Sequence, residues 1–227
     1  MKKLLSVLLA AAMLLSCCTV FAEEETQTID FSVVEFQKIT EEESGAKVAI
    51  KDESSYAIAP ISDSVTVSGS MIAVRTRGLT MMLNLPDAYV CFTQDYFASL
   101  QSYAMLSDPD PLQNFMVQAD SHFYLYDQYT QNESHIDSLQ SDKACAMIGN
   151  LRYLDDENLK AFAAAFGEAN DVTAQGFYKT GTAVWIKYTG VVNVYITIVG
   201  SEYLAYFYGN AEDTDAQEIL SALTVFG

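Results

Sequence analysis

Four strand-like segments stand back to back near the C-terminus, at about 177–179, 182–189, 191–199 and 202–208. Gly181, Gly190 and the Gly200-Ser201 pair fall between them. Turns this short join antiparallel neighbours, so the spacing predicts a β-meander. An amphipathic helix precedes it. Leu159, Phe162, Ala163 and Phe166 recur at i, i+3, i+4 and i+7, which puts one apolar face on a sheet. Asp155 or Asp156 suits its N-cap, and Gly167 stands where a C-terminal glycine would. After the meander, Thr214 and Gln217 read as a capping box, and Ala216, Ile219, Leu220 and Leu223 as the buried face of a closing helix.

Upstream, 79–85 reads as a strand stopped by Pro86-Asp87, and 89–92 as a short second one. Phe97, Leu100 and Ala104 share a helical face. Leu112, Phe115 and Met116 suit another helical turn, and 122–129 alternates as a strand. Residues 29–39, 46–50, 55–58 and 65–77 give the N-terminal third a β character, with the acidic run at 41–43 as a solvated turn. The expected fold class is α+β: one antiparallel β-sheet with helices packed on it over 79–227, preceded by a β-rich N-terminal extension over 23–78.

Residues 1–22 carry a different signal. Lys2 and Lys3 precede an apolar run at 4–15, too short to span a bilayer, and Val20-Phe21-Ala22 offers a small-residue cleavage site. This is the pattern of a signal peptide, so the mature chain is expected to be secreted or otherwise extracytoplasmic after cleavage near Ala22. A competing pattern, Leu14-Leu15-Ser16-Cys17, resembles a bacterial lipobox that would leave the chain lipid-anchored through Cys17. Later segments are too short and polar for a transmembrane span in the mature chain. Losing 1–22 would leave 10 basic against 30 acidic residues, a charge of −20. Such a chain repels phosphate backbones and anionic lipid, which argues against nucleic acid as a partner.

The residues that could carry chemistry are few. His122 and His135 are the only histidines, and neither has a second ligand at metal spacing. His122 falls in an alternating strand and His135 in a polar stretch read as a loop. The oxygen-rich stretch 210–215 lacks the central glycine of a calcium loop and is explained by negative charge at a helix start. Ser44-x-x-Lys47 and Lys179-Thr180-Gly181 match two β-lactamase motifs, but the serine sits in an acidic turn and the second motif in a hairpin. No G-x-S-x-G elbow occurs. Cys91 and Cys145 follow the export region; a bridge between them and a pair of buried thiols both fit. Tyr124, Tyr126, Tyr129, Trp185, Tyr188, Tyr195, Tyr203, Tyr206 and Tyr208 suit either a buried core or an exposed face for stacking sugars. The expectation is therefore no catalytic residue, no metal ligand and no cofactor.

The order of these signals resembles a known family. Leu83-Asn84-Leu85-Pro86-Asp87-Ala88-Tyr89 is similar to the opening of PsbP-like and DcrB-like domains, with Ala88 in place of their glycine and Tyr89 in place of their tryptophan. Leu154-Asp155-Asp156-Glu157-Asn158-Leu159 resembles the start of their helix. Residues 195–198, 203–207 and 219–226 resemble their last hairpin and closing helix. The chain is also similar to secreted proteins of gut-type Gram-positive bacteria. The resemblance implies a PsbP-like α/β/α sandwich over about 79–227 and a small non-catalytic domain that docks on other proteins or assists assemblies. It transfers no site residue.

These readings combine into a secreted, non-enzymatic binding or assembly-accessory domain whose partner is an extracytoplasmic protein or glycan. The rivals are a cell-envelope hydrolase with a spatially assembled site and a lipoprotein subunit of an envelope complex. Mass spectrometry of the exported protein is expected to return a free Glu23 as the first residue; an acylated Cys17 would establish the lipoprotein instead.

Overall fold

The computed structural model describes residues 28–36, 39, 64–76, 78–93, 121–130, 132–139, 141–190, 193–208 and 213–227. The expected helices around 97–104 and 112–116 and the segments at 1–22 and 46–58 lie outside them. Among the described residues there are eleven strands: β1 Ser64–Ser68, β2 Met71–Arg75, β3 Thr80–Asn84, β4 Tyr89–Phe92, β5 Ser121–Asp127, β6 Glu133–Leu139, β7 Thr173–Lys179, β8 Val184–Thr189, β9 Asn193–Val199, β10 Glu202–Tyr208 and β11 Leu223–Phe226. The described residues also form three α-helices: α1 Lys143–Ile148, α2 Asp156–Asn170 and α3 Asp213–Ala222.

The strands form two antiparallel sheets, and the fold is α+β. Seven strands lie in the order β4-β5-β6-β10-β9-β8-β7, and four in the order β1-β2-β3-β11. The meander expected near the C-terminus is the β7-β8-β9-β10 half of the large sheet. Gly200 and Ser201 both take positive φ, 61° and 68°, the geometry of a two-residue hairpin turn whose twist matches the strands it joins.

A second sheet was not anticipated from the sequence. The segment read as one strand at 65–77 is a hairpin, β1 and β2, folded at Gly69-Ser70. β2 pairs with β3, so strands on both sides of residue 78 share this sheet. Its other edge is β11, where Leu223 pairs with Leu83. Periodicity alone places Leu223 in the closing helix. Instead α3 ends at Ala222, and Leu223 and Val225 point into the core with Thr224 between them, a strand's alternation. Thr214 is likewise no cap, since α3 already includes Asp213. Gln217 Nε2 donates to Tyr195 Oη at 3.3 Å rather than closing a capping box.

Two cores lie on opposite faces of the large sheet. One holds Trp185, Tyr195, Leu204, Tyr206 and Tyr208 against the small sheet (Val74, Met81, Leu83, Val225) and the α3 residues Ala216, Ile219 and Leu220. The other holds Ile186, Tyr188, Val194, Ile196 and Tyr203 against the α2 residues Leu159, Phe162 and Phe166. The layers are therefore α2, the large sheet, and the small sheet with α3.

α2 starts as expected, with Asp155 accepting from the Asn158 amide at 2.8 Å. It ends later than expected. Gly167 is buried inside the helix, and the left-handed terminal residue is Asp171 at φ 58°. A Cβ on Gly167 would lie 2.7 Å from the Val172 carbonyl oxygen, so the glycine lets the chain fold back closely from α2 into β7. Residues 29–36, strand-like in sequence, hold a 3-10 turn at Phe31–Val33 and no strand. They lie along α2 as a strap. The Ile29 amide donates to Asn158 Oδ1 at 2.6 Å, and the Ile39 amide to Asn170 Oδ1 at 2.7 Å. Between these ties, Phe31 and Phe36 meet Phe162 edge-on at 5.6 and 5.8 Å.

Phe166 touches Phe36, Phe162, Tyr188 and Tyr203 and is fully buried, so it joins strap, helix and sheet. Phe166→Ala is expected to destabilise the fold by ~3–5 kcal/mol in urea unfolding. A loss below about 1 kcal/mol would mean that α2 is not held through this ring.

Candidate functional site

Both histidines that the sequence marks for chemistry lie in the large sheet, while Ser44, Lys47 and 210–212 fall outside the described residues. His122 lies in β5 beside a register shift between Ser121 and Phe123, and its Nε2 is 2.6 Å from Ser138 Oγ. His135 lies in β6 rather than in a loop, with Nδ1 2.8 Å from Asp137 Oδ1 and its ring stacked on Phe207 at 4.8 Å. Successive side chains of a strand point to opposite faces. Ser134, Ile136 and Ser138 therefore share the face of the inter-sheet core, and His135, Asp137 and Leu139 the face toward α2. A serine relay needs the acid behind the histidine that holds the serine. Here the sheet backbone stands between the Ser138–His122 pair and Asp137.

The electrostatics agree. Burial pushes His122 down to about 4, so the imidazole is neutral at pH 7. Its Nδ1 finds no hydrogen-bond partner among the described residues, which leaves nothing there to stabilise an imidazolium. Burial likewise pushes the Cys91 and Cys145 thiols up to about 12, far from the thiolate that a nucleophile requires. Cys145 packs in the core under α2 and Cys91 against the inter-sheet core, so the sheet separates them too.

The aromatic residues resolve as core. Trp185, Tyr188, Tyr195, Tyr203, Tyr206 and Tyr208 are all buried, as is Tyr124; Tyr126 is half-buried and Tyr129 exposed. Tyr178, Tyr195, Tyr208 and Tyr206 form a ladder with ring centroids 6.5, 5.4 and 5.8 Å apart beneath α3. No face of stacked rings is left open for a sugar among these residues. Asp213 has both oxygens engaged, by Lys187 Nζ and by Tyr208 Oη at 3.0 Å, and the lysine holds its carboxyl below the usual range. Among the described residues no three His, Cys, Asp or Glu side chains converge as a metal site. Lys179 and Thr180 enter the β7–β8 turn, where the Thr180 amide donates to the Ala183 carbonyl at 2.9 Å.

A concave site does exist, and no sequence motif marked it. α2 packs its large residues over β8–β10 but presents Ala163, Ala164 and Gly167 toward β7, which answers with Ala174 and Gly176. Small side chains on both walls leave the space between helix and strand unfilled. The result is an open groove of about 460 Å³, with Lys160 and Phe177 also in its lining. β7 is the last strand of the large sheet, and its residues alternate between exposed and half-buried. Its register with β8 shifts between Ala174 and Gly176. The only retrospective signal is the helix's Ala-rich centre followed by a glycine, which by itself reads as ordinary helix packing.

Comparison with protein-family models, with curated proteins and with solved structures finds no match to this chain.

The buried His122 generates a pH dependence. The unfolded imidazole takes a proton near pH 6.5, the folded one only near pH 4. The stability it contributes is therefore complete above 6.5 and lost as the pH falls toward 4. Urea unfolding at pH 7 and pH 4 should show the wild type losing about 3 kcal/mol more than His122→Gln. Equal losses in the two proteins would place His122 in contact with water.

Proposed function

We propose that this chain is an exported, non-enzymatic binding domain, and that its ligand sits in the groove between α2 and β7. The observation that carries the reading is a groove of about 460 Å³, within the size range of ligand sites, beside a strand that stands at the sheet edge among the described residues. Three supports come from elsewhere. The pattern of residues 1–22 is that of a secretory leader, which puts the working chain outside the cytoplasm. The residues with nucleophile or base chemistry are buried, protonated or separated by the sheet. The resemblance to PsbP-like and DcrB-like domains favours docking or assembly over catalysis, and the partner is an extracytoplasmic protein or glycan. No helix among the described residues is long and apolar enough to cross a membrane.

A hydrolase is the second reading, and the 2.6 Å contact between His122 and Ser138 is what favours it. An activated serine reacts with a fluorophosphonate probe, and a buried serine without a relay does not. The purified mature protein is expected to stay unlabelled, whereas labelling abolished by Ser138→Ala would make it a hydrolase. Pull-down from envelope extract is the direct test of the binding reading. Reproducible enrichment of a protein or glycan is expected, and its absence would count against the domain being a binding module.

A further inference from the structure

We infer that the α2–β7 groove takes an extended peptide segment bearing a single carboxylate, which adds to the free edge of β7 as a further strand and sets its acid against Lys160. This rests on the preceding reading and specifies the ligand for it. β7 hydrogen-bonds to β8 on one side only, so half of its backbone donors and acceptors face outward among the described residues. A strand laid beside it would satisfy those groups, as in recognition by β-augmentation. The groove supplies what an edge alone lacks, a wall on one side. Side chains on one face of the added strand would enter the space over Ala164, Gly167 and Gly176.

The shift between Ala174 and Gly176 sets the register. A bulge interrupts an edge and discourages indiscriminate pairing. The regular stretch that follows, Gly176–Lys179, pairs in step with β8. Because α2 runs directly back into β7, this stretch lies toward the start of the helix, where Lys160 stands.

Charge selects the ligand. Among the described residues Lys160 is the one charged side chain lining the groove, in a chain of net charge −18. Lys179, at the end of β7, already lies 3.4 Å from Asp156. A carboxylate beside Lys160 gains a local partner, while a strongly acidic peptide is repelled by the rest of the chain within a Debye length of about 8–10 Å. One acidic residue in an otherwise neutral, β-prone segment satisfies both conditions.

The probe is a capped seven-residue peptide of alternating Val and Thr with a central Glu, titrated into the isotope-labelled mature protein and read by amide shifts. Shifts confined to 160–167 and 173–179 are expected, with the Glu peptide binding about five-fold more tightly than its Lys counterpart. Lys160→Glu should reverse that order. Ala164→Trp, a change at an exposed helix position, should abolish binding while leaving the amide spectrum of the fold intact. Shifts elsewhere, no shifts, or an unchanged order in Lys160→Glu would overturn the assignment. The envelope pull-down separates the two claims: equal capture by wild type and Ala164→Trp removes the groove but keeps a binding domain.

Discussion

The interior strands β8, β9 and β10 are apolar on both faces, and every other layer answers to that fact. Ile186, Ile196 and Ala205 point one way, and Trp185, Tyr195 and Tyr206 the other. Burying such strands is worth about 25 cal/mol per Å² of apolar surface, but only if both faces are covered. α2 with its strap supplies one cover, and the small sheet with α3 supplies the second. Strands that must be sealed on both sides also cannot sit at a sheet edge, which is why β4–β6 and β7 flank them.

Tyrosine makes the covers specific. A buried hydroxyl costs free energy unless it is hydrogen-bonded, so each ring that fills the core also fixes the position of whatever accepts from it or donates to it. Tyr188 donates to the Ala163 carbonyl of α2 at 3.1 Å, Tyr203 to Asp142 ahead of α1 at 3.1 Å, and Tyr208 to Asp213 of α3 at 3.0 Å. Tyr178 Oη lies 2.5 Å from Ser221 Oγ, also on α3. Each helix is thus tied to the sheet by at least one polar contact of defined direction. Trp185 Nε1 and Thr197 Oγ1 break this pattern, both buried without a hydrogen-bond partner among the described residues.

The same packing explains where ligand space remains. Under the middle of α2 the phenylalanines and tyrosines interlock. Beyond them, α2 turns Ala163, Ala164 and Gly167 toward β7, and β7 returns Ala174 and Gly176, with Lys160 and Phe177 also in the lining. The groove lies where small residues face each other across helix and strand. The histidines, by contrast, lie within the sheet, where burial holds His122 neutral and separates Ser138 from Asp137.

Much of this was legible in the residues alone. The meander, the start of α2 at Asp155 and the buried face Leu159–Phe162–Phe166 follow from local periodicity and turn chemistry, which act over a few residues. The end of α2 was not legible, because a buried glycine at 167 is chosen by the approach of Val172 rather than by helix termination. Nor was β6, where Ser134, His135 and Asp137 look like loop residues until the cores on either side of the sheet bury them. The split into two sheets was likewise not legible, because it depends on Leu223 pairing with Leu83, 140 positions earlier in the chain. Sequence by itself determined an α+β chain with a C-terminal antiparallel meander and an amphipathic helix, since those depend on neighbours along the chain. Only the tertiary structure decided which strands share a sheet, which serine meets which histidine, and where a groove stays open, since each depends on residues that meet solely by folding.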